Sequence, residues 1–271
     1  MANNTVHAAD NPNLVNQIAA QATAEPENKI APAELTAPSD NLVTLPGGYI
    51  SPTGEVIRTA EVRELTGRDE EAIGKLGSSS RLFHTIVDRA TVSVGNLKAS
   101  EELLDTMLSG DRDALLLGIY KATFGPTAEL GGWCEGCKEV KTVAIDVDTD
   151  IEVKALADPA KDRTFTVQGR NSEFLVTLPT GHSQKLILAA AEKSSGEITT
   201  VLLQECVLEI DGQSVYAPLQ VQRLGVADRR TLVNEISKRN PGPKFEPVIV
   251  TCPDCDGEVT VPLSLGSLFP F

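Results

Sequence analysis

Two short cysteine turns, 115 positions apart, constrain the fold of this 271-residue chain more than any other feature. Cys134 and Cys137 form the first turn, and Cys252 and Cys255 form the second. Cysteines three positions apart on a tight turn can direct both sulfurs at one ion, and four sulfurs make the closed tetrahedral shell of structural zinc. We therefore expect one structural Zn²⁺ site with these four ligands and no open coordination position.

Each cysteine turn precedes a strand-like run, Val140–Val147 after the first and Glu258–Leu263 after the second. A turn followed by a strand, found twice, is the layout of a zinc ribbon, here predicted to be discontinuous and to use residues 134–152 and 244–264. Binding of a metal across so long a loop adds its energy to folding. A covalent cross-link that closes a loop of this size is worth about 4–5 kcal/mol in the chain-entropy model.

Other uses of the four cysteines remain open at this point. Two local disulfides are possible but strained at this spacing, and a redox Cys-x-x-Cys needs only one pair, usually at the start of a helix. A rubredoxin-type iron site has similar spacing, but glycine usually follows the second cysteine of each turn, where this chain has Lys138 and Asp256. The fifth cysteine, Cys206, lies in an apolar run and is expected to be a buried free thiol.

The acidic composition limits the kinds of partner that the chain can bind. Its formal net charge is −14, which repels phosphate backbones and anionic membranes. We therefore expect protein partners, with a homo-oligomer among the options, and no nucleic acid, membrane or small-molecule substrate. A zinc-ribbon adaptor in transcription or nucleic-acid processing is the second hypothesis, and a basic patch on the ribbon would favour it. The N-terminus lacks the features of a signal peptide, and no apolar run approaches the ~20 residues of a membrane span.

The hydrophobic periodicity predicts an α+β fold with a mainly helical body, short β-hairpins and the discontinuous ribbon. A body at 41–133 is expected to contain a hairpin at 41–58, with turns at Pro46–Gly48 and Ser51–Gly54. The same body contains predicted helices that start near Thr66 and Ser80 or span 100–108 and 111–124. Residues 153–243 are predicted to form an α/β insertion between the two cysteine turns.

Each end of the chain has two alternatives, one of which is contact with a partner. Residues 1–40 are acidic and poor in large aliphatic side chains, so they form either a disordered tail or an extended arm. Leu14 and Ile18 would anchor such an arm on a neighbouring subunit. The apolar tail at 265–271 either folds back on the core or inserts into a partner, and for the second case Leu268, Phe269 and Phe271 are the predicted contacts.

Two patterns that resemble catalytic or calcium sites have simpler explanations. Ser80, His84 and Asp88 fall on one helical face, but side chains in a row on one helix do not converge on one reacting atom, and Ser80 fits better as an N-cap. Asp146–Asp150 starts like a calcium loop but lacks the glycine at its sixth position and the acid at its twelfth. We therefore predict no catalytic residue and no enzyme activity.

Two segments, followed at once by the first cysteine turn, resemble a known family. Arg63–Glu71 reads RELTGRDEE, and Met107–Gly125 reads MLSGDRDALLLGIYKATFG. This arrangement is similar to the baseplate hub proteins and hub assembly chaperones of T-even-type contractile-tailed bacteriophages. The closest match is the Gly110–Arg112 turn, the apolar helix after it and the Phe124–Gly125 end. The resemblance covers roughly residues 48–150 and the second cysteine turn.

The resemblance implies a non-enzymatic role in building the distal end of a phage tail. It implies other baseplate or tail proteins as partners, assembly in the host cytoplasm and a final location in the virion baseplate. It does not distinguish a permanent subunit from a transient assembly chaperone. The arm at 1–40 and the apolar tail at 265–271 lie outside the resemblance.

Overall fold

Helices and strands contribute similar shares of the structure, a computed structural model that describes residues 41–76, 81–190 and 192–269. These ranges contain nine helices and fourteen strands in four sheets, with 38% helix and 30% strand. The expected mixture of helix and strand is confirmed. The expectation of a mainly helical body is not confirmed. Paired strands form at the start of the described chain and in the two hairpins that contain the cysteine turns.

An antiparallel sheet in the order β1-β2-β3-β4 opens the described chain. Its strands are β1 (Leu42–Ile50), β2 (Val56–Val62), β3 (Thr91–Val94) and β4 (Leu97–Lys98). The turn predicted at Pro46–Gly48 is wrong, because β1 continues through it and the pairing register with β2 shifts between Thr44 and Tyr49. The two glycines and the proline therefore form a bulge inside one strand, and the hairpin turn is the second predicted turn, at Ser51–Gly54.

The predicted helices of the body lie within a few residues of their expected positions. They are α1 (Gly67–Gly74), α2 (Leu82–Ala90), α3 (Glu101–Thr106) and α4 (Ser109–Phe124). Thr66 precedes α1 and donates its N–H to the Asp69 carboxylate over 2.9 Å, while the Ser100 hydroxyl caps α3. Ser80 lies outside the described residues. Helix α4 is buried on most sides and forms the centre of the larger hydrophobic core.

The Gly110–Arg112 segment is the first turn of α4, not the separate turn that the sequence predicted. Gly110 packs directly against the backbone of the distant Pro241, so close that a β-carbon would lie 1.8 Å from the Pro241 carbonyl oxygen. The fully buried Asp111 accepts the Gly47 N–H at 2.6 Å. This one helical turn therefore holds together the β1 bulge and the segment that returns from the insertion.

The first cysteine hairpin follows α4 and shares its core. It consists of β5 (Thr127–Cys134) and β6 (Glu139–Asp146), which pair in continuous register from Thr127 opposite Asp146 to Cys134 opposite Glu139. Alternate residues of β5 are buried, as expected for a strand with one face on a core. The buried face contains Ala128 and Leu130, which belong to the same hydrophobic cluster as α4.

Residues of the insertion form a second hydrophobic cluster, centred on Phe174, Leu203 and Leu232. Strands β7 (Val153–Lys154) and β12 (Gly242–Pro243) pair with each other where the insertion begins and ends. A four-stranded sheet has the order β11-β10-β9-β8, from β8 (Thr164–Gln168), β9 (Glu173–Thr177), β10 (Val207–Ile210) and β11 (Gln213–Ser214). The helices are α5 (Gly181–Ala189), α6 (Ser195–Cys206), α7 (Pro218–Gln222) and α8 (Val226–Arg239). Cys206 is a fully buried free thiol, as predicted.

The last described elements are β13 (Val248–Thr251), β14 (Glu258–Val261) and the short helix α9 (Leu265–Leu268). After α9 the chain turns back onto α2 and α4. Phe269 is 3% exposed, and its ring lies 5.8 Å from the Tyr120 ring and 6.2 Å from the Phe83 ring.

The predicted partner contacts at Leu268 and Phe269 are therefore corrected. Both side chains are buried in the core of their own chain, because α2 and α4 present an apolar, aromatic surface that removes them from water. Of the two alternatives for the tail, these residues follow the fold-back. Phe271, Leu14 and Ile18, the other predicted contacts, lie outside the described residues.

Candidate metal centre

The pairing of β14 with β5 brings the two cysteine turns together. Val259 lies opposite Cys134, and Thr260 lies opposite Trp133, so the two hairpins form one antiparallel sheet in the order β13-β14-β5-β6. Each cysteine turn lies at the closed end of its hairpin. Because the central strands pair near these ends, all four cysteines meet at one end of the sheet.

The four sulfur atoms lie within 4.8 Å of one another. Two of the separations cross between the turns, with 3.5 Å from Cys134 to Cys255 and 3.8 Å from Cys137 to Cys252. A tetrahedral ion with metal–sulfur bonds of about 2.3 Å requires sulfur atoms ~3.8 Å apart, so the donor set fits one such ion. The same distances are much longer than a disulfide bond of about 2.05 Å, and all four cysteines are free thiols.

Both turns have the same backbone conformation. The Lys138 N–H donates to the Cys134 carbonyl oxygen at 2.8 Å, and the Asp256 N–H donates to the Cys252 carbonyl oxygen at 3.1 Å. Lys138 and Asp256 also share the left-handed region, with φ of 58° and 57°. These are the positions at which a rubredoxin-type site usually has glycine, so the turn conformation is retained here at the steric cost of a side chain.

The thiols differ in how readily they lose a proton. The N–H of Cys137 donates to the Cys134 sulfur at 3.4 Å and, with other contacts, lowers the pKa of Cys134 to about 7. The neighbouring Cys255 thiol and burial raise the pKa of Cys137 to about 12. Because a metal binds thiolates, an ion that takes all four sulfurs must release the protons that remain, which makes its affinity rise with pH.

The charges around the turns are mainly acidic. Lys141 bridges the two turns through ion pairs with Glu139 and with Asp254, the latter at 2.5 Å. Lys138 is paired with Glu135 at 2.6 Å. Both lysines of this region are therefore neutralised by neighbouring acids. A basic patch that could bind a phosphate backbone is not formed by the described residues of the ribbon.

His84 and Asp88 are half-buried and lie beside Arg112, a residue whose burial the sequence did not reveal. Arg112 is 1% exposed; its Nη1 donates to the Leu104 carbonyl oxygen at 2.9 Å, and its Nη2 lies 2.9 Å from His84 Nδ1. Burial is the main cause that lowers the pKa of His84 to about 4, and the positive charge of Arg112 is the second cause. Burial also raises the pKa of Asp88. His84 therefore stays neutral at physiological pH and serves as a hydrogen-bond partner of a buried guanidinium.

The Asp146–Asp150 segment forms a self-capped turn after β6. Asp146 Oδ1 accepts the Asp148 N–H at 2.8 Å, and Asp150 Oδ2 accepts the Asp146 N–H at 2.8 Å. The Asp146 and Asp150 carboxylates are therefore used within the turn, and the Asp148 carboxylate pairs with Lys121 at 3.0 Å. Among the described residues, the four cysteines are the one group of three or more histidine, cysteine or acidic side chains whose geometry could hold a metal ion.

Comparisons with protein-family models, with curated proteins and with solved structures gave no match for this chain. The candidate site is therefore defined by its own geometry. Within the described ranges, every helix is too short or too polar to cross a membrane.

Proposed function

We propose that this chain is a structural or assembly protein in the hub region of a contractile phage tail baseplate, and that it acts through contacts with other tail proteins. The observation that carries the proposal is the closed four-cysteine cluster at the junction of two hairpins. With four protein ligands, no position remains for water or substrate, so the bound ion would stabilise the fold and not take part in a reaction.

The ion in this proposal is Zn²⁺, held by Cys134, Cys137, Cys252 and Cys255. Zinc is redox-inactive, accepts four thiolates in a tetrahedron and has no preferred geometry beyond the one its ligands impose. The sulfur separations of 3.5 and 3.8 Å support this assignment. Iron has the same ligand number in rubredoxin-type sites, and metal analysis distinguishes the two.

The assignment to a baseplate is supported by what the family-like residues do in the fold. In the first segment, Arg63 and Arg89 both bind Asp69, each with a closest separation of 2.7 Å. The hydrogen bond from Arg63 is the largest of several contacts that hold the pKa of Asp69 well below its usual range. In the second segment, Gly110 and Asp111 join distant parts of the chain. Residues that resemble the family are therefore residues that determine the fold, which is the expected pattern for a shared architecture.

Electrostatic observations favour a protein partner over the nucleic-acid adaptor. The lysines near the ribbon are paired with acids, and the whole chain carries a net charge of −14. Electrostatics therefore oppose binding to a phosphate backbone.

The test is quantitative mass spectrometry on purified particles of the source phage and on tail intermediates from infected cells. A fixed small copy number per tail identifies a permanent subunit. Presence only in complexes with tail proteins before maturation identifies an assembly chaperone. Absence from both mature tails and tail intermediates would contradict the proposal. As a control, an unrelated cytoplasmic protein of the host should be absent from the same fractions.

A further inference from the structure

Four residues on the solvent side of the ribbon sheet form a continuous row across all four strands. Ile249 of β13 pairs with Thr260 of β14, Thr260 pairs with Trp133 of β5, and Trp133 pairs with Val140 of β6. Directly paired residues in an antiparallel sheet point to the same face. With strands about 4.8 Å apart, the row is ~14 Å long. We call this row the ribbon face.

Three of the four residues of the ribbon face are apolar and exposed to solvent. Ile249 is 61% exposed, Val140 is 67% exposed, and Trp133, the only tryptophan in the chain, is 44% exposed. The opposite side of the same sheet contributes to the hydrophobic core, so the sheet presents apolar side chains on both sides. A cluster of exposed apolar side chains of this kind, here with Thr260 between Ile249 and Trp133, is typical of an interaction site.

Acidic residues flank the ribbon face on both sides, and none of its strands contributes a cation to it. Glu258 lies two positions before Thr260, and Glu129 lies four positions before Trp133, so both point to the same side as the row. Neither glutamate forms an ion pair with a described lysine or arginine. Lys141, the lysine of β6, lies opposite Gly132 on the other side of the sheet.

We propose that the ribbon face docks a protein surface that has an apolar centre and a rim of lysine or arginine side chains. The inference rests on the proposed function, because it specifies the chemistry of the protein partner. The apolar row would supply the buried centre of the interface, with Trp133 as its main anchor, since tryptophan is strongly enriched among residues that dominate binding energy. Glu129 and Glu258 would pair with the basic rim of the partner and set its orientation.

The acidic flanks argue against the other occupants of such a surface. A second copy of this chain would bring the same glutamates together, and like charges across an interface oppose association. Residues 1–40 carry five acids and one lysine, so the same repulsion applies to them. Nucleic acid and anionic membranes are repelled for the same reason.

The single tryptophan makes occupancy of the ribbon face directly measurable in the full-length, metal-loaded protein. The probes are two short strand-forming peptides, one alternating leucine with lysine and the other alternating leucine with glutamate. Single-stranded DNA and vesicles of anionic phospholipid serve as further probes. The readout is the shift of Trp133 emission to shorter wavelength, titrated to saturation and repeated at raised salt.

The leucine–lysine peptide should produce a saturable shift, bind at least tenfold more tightly than the leucine–glutamate peptide and weaken with salt. The double variant Glu129→Gln/Glu258→Gln should weaken this binding by about three- to tenfold. Glu70→Gln/Glu71→Gln, which makes the same charge change at exposed positions of α1, should leave it unchanged. Val140→Ser/Ile249→Ser should weaken it by at least about tenfold.

Equal binding of both peptides, tighter binding of DNA or vesicles, a shift caused by self-association on concentration, or no shift with any probe would each overturn the proposal. A photo-crosslinker at Ile249 in infected cells then identifies the natural partner. If the protein binds the leucine–lysine peptide more tightly, as expected, but the crosslinked partner is not a tail protein, the proposed function fails and the ribbon-face proposal remains valid. If the tail copy number is confirmed but the peptides do not discriminate, only the ribbon-face proposal fails.

Discussion

A β-carbon on Gly136 would lie 2.7 Å from the sulfur of Cys255. Gly136 is in the first cysteine turn and Cys255 is in the second, so the absence of a side chain at Gly136 lets the two turns approach. The sulfur cluster therefore depends on a residue that is not itself a ligand.

Gly136→Ala should weaken zinc binding, because the new methyl group displaces the Cys255 sulfur from its position. Changes beside metal ligands typically cost about 10- to 100-fold in affinity, and we expect a loss in this range. Competition with a chromophoric chelator measures it. Gly196→Ala is the matched control, since a β-carbon there meets nothing within 4 Å. Equal affinities for the two variants would contradict the close approach of the turns.

Gly110→Ala should destabilise the whole fold. The added β-carbon would lie 1.8 Å from the Pro241 carbonyl oxygen, and the neighbouring atoms are backbone that cannot rotate away. Overpacking usually costs about 1–3 kcal/mol, and this site should lie at or above the upper end of that range. Denaturant unfolding gives the free energy. Gly74→Ala, with nothing within 4 Å, should stay within about 1 kcal/mol of the wild type. An unchanged midpoint for Gly110→Ala would refute this packing.

The folding stability of the Asp111→Asn variant, relative to that of the wild type, should increase as the pH rises. Burial raises the pKa of Asp111 from 3.8 to about 6, although the Gly47 N–H opposes this shift. Below pH 3.8 the carboxyl is protonated in both the folded and the unfolded state. Between pH 3.8 and 6 the folded state holds the proton more tightly than the unfolded state. The stability of the wild type therefore falls as the pH rises through this range. Above pH 6 the full penalty remains, on the order of 3 kcal/mol at most. Tm differences between variant and wild type at pH 4 and pH 7 measure it; a difference that is constant or falls with pH would argue against a buried carboxylate.

Phe269→Ala should cost about 3–5 kcal/mol of folding stability, because it removes a buried ring packed against Phe83 and Tyr120. Thermal or denaturant unfolding of the isolated protein is the measurement. Tyr216→Ala, at a side chain that is 87% exposed, should change stability by no more than about 0.5 kcal/mol. If Phe269→Ala kept wild-type stability but lost a partner, the tail would be a partner anchor after all.

The sequence predicted that the four cysteines form one cluster, because the spacing within each turn is a local feature. Two residues per turn, at a fixed spacing, define a sulfur pair, and zinc requires two such pairs. The β5–β14 pairing that brings the turns together joins segments far apart in sequence, and its register depends on tertiary contacts. The sequence gives no local signal for such a register.

Three features of the fold that local sequence does not reveal have physical explanations of the same kind. Pro46–Gly48 has the composition of a turn, but its neighbours on β2 hold it as a bulge within a strand. Arg112 belongs to a residue type that is usually exposed, but the fold supplies the Leu104 carbonyl and His84 as partners that make its burial tolerable. Phe269 reads as an exposed anchor because its aromatic neighbours lie more than a hundred positions earlier in the chain.

Metal analysis of the native protein tests the central claim, that four cysteines hold one structural zinc. Protein purified under reducing conditions without chelator should carry one zinc per chain by elemental analysis and native mass spectrometry. Cys134→Ser should lose the metal and unfold more easily, while Cys206→Ala, which removes the cysteine outside the cluster, should retain it. A metal-free native protein, stoichiometric iron, or disulfides among the four cysteines would contradict the account.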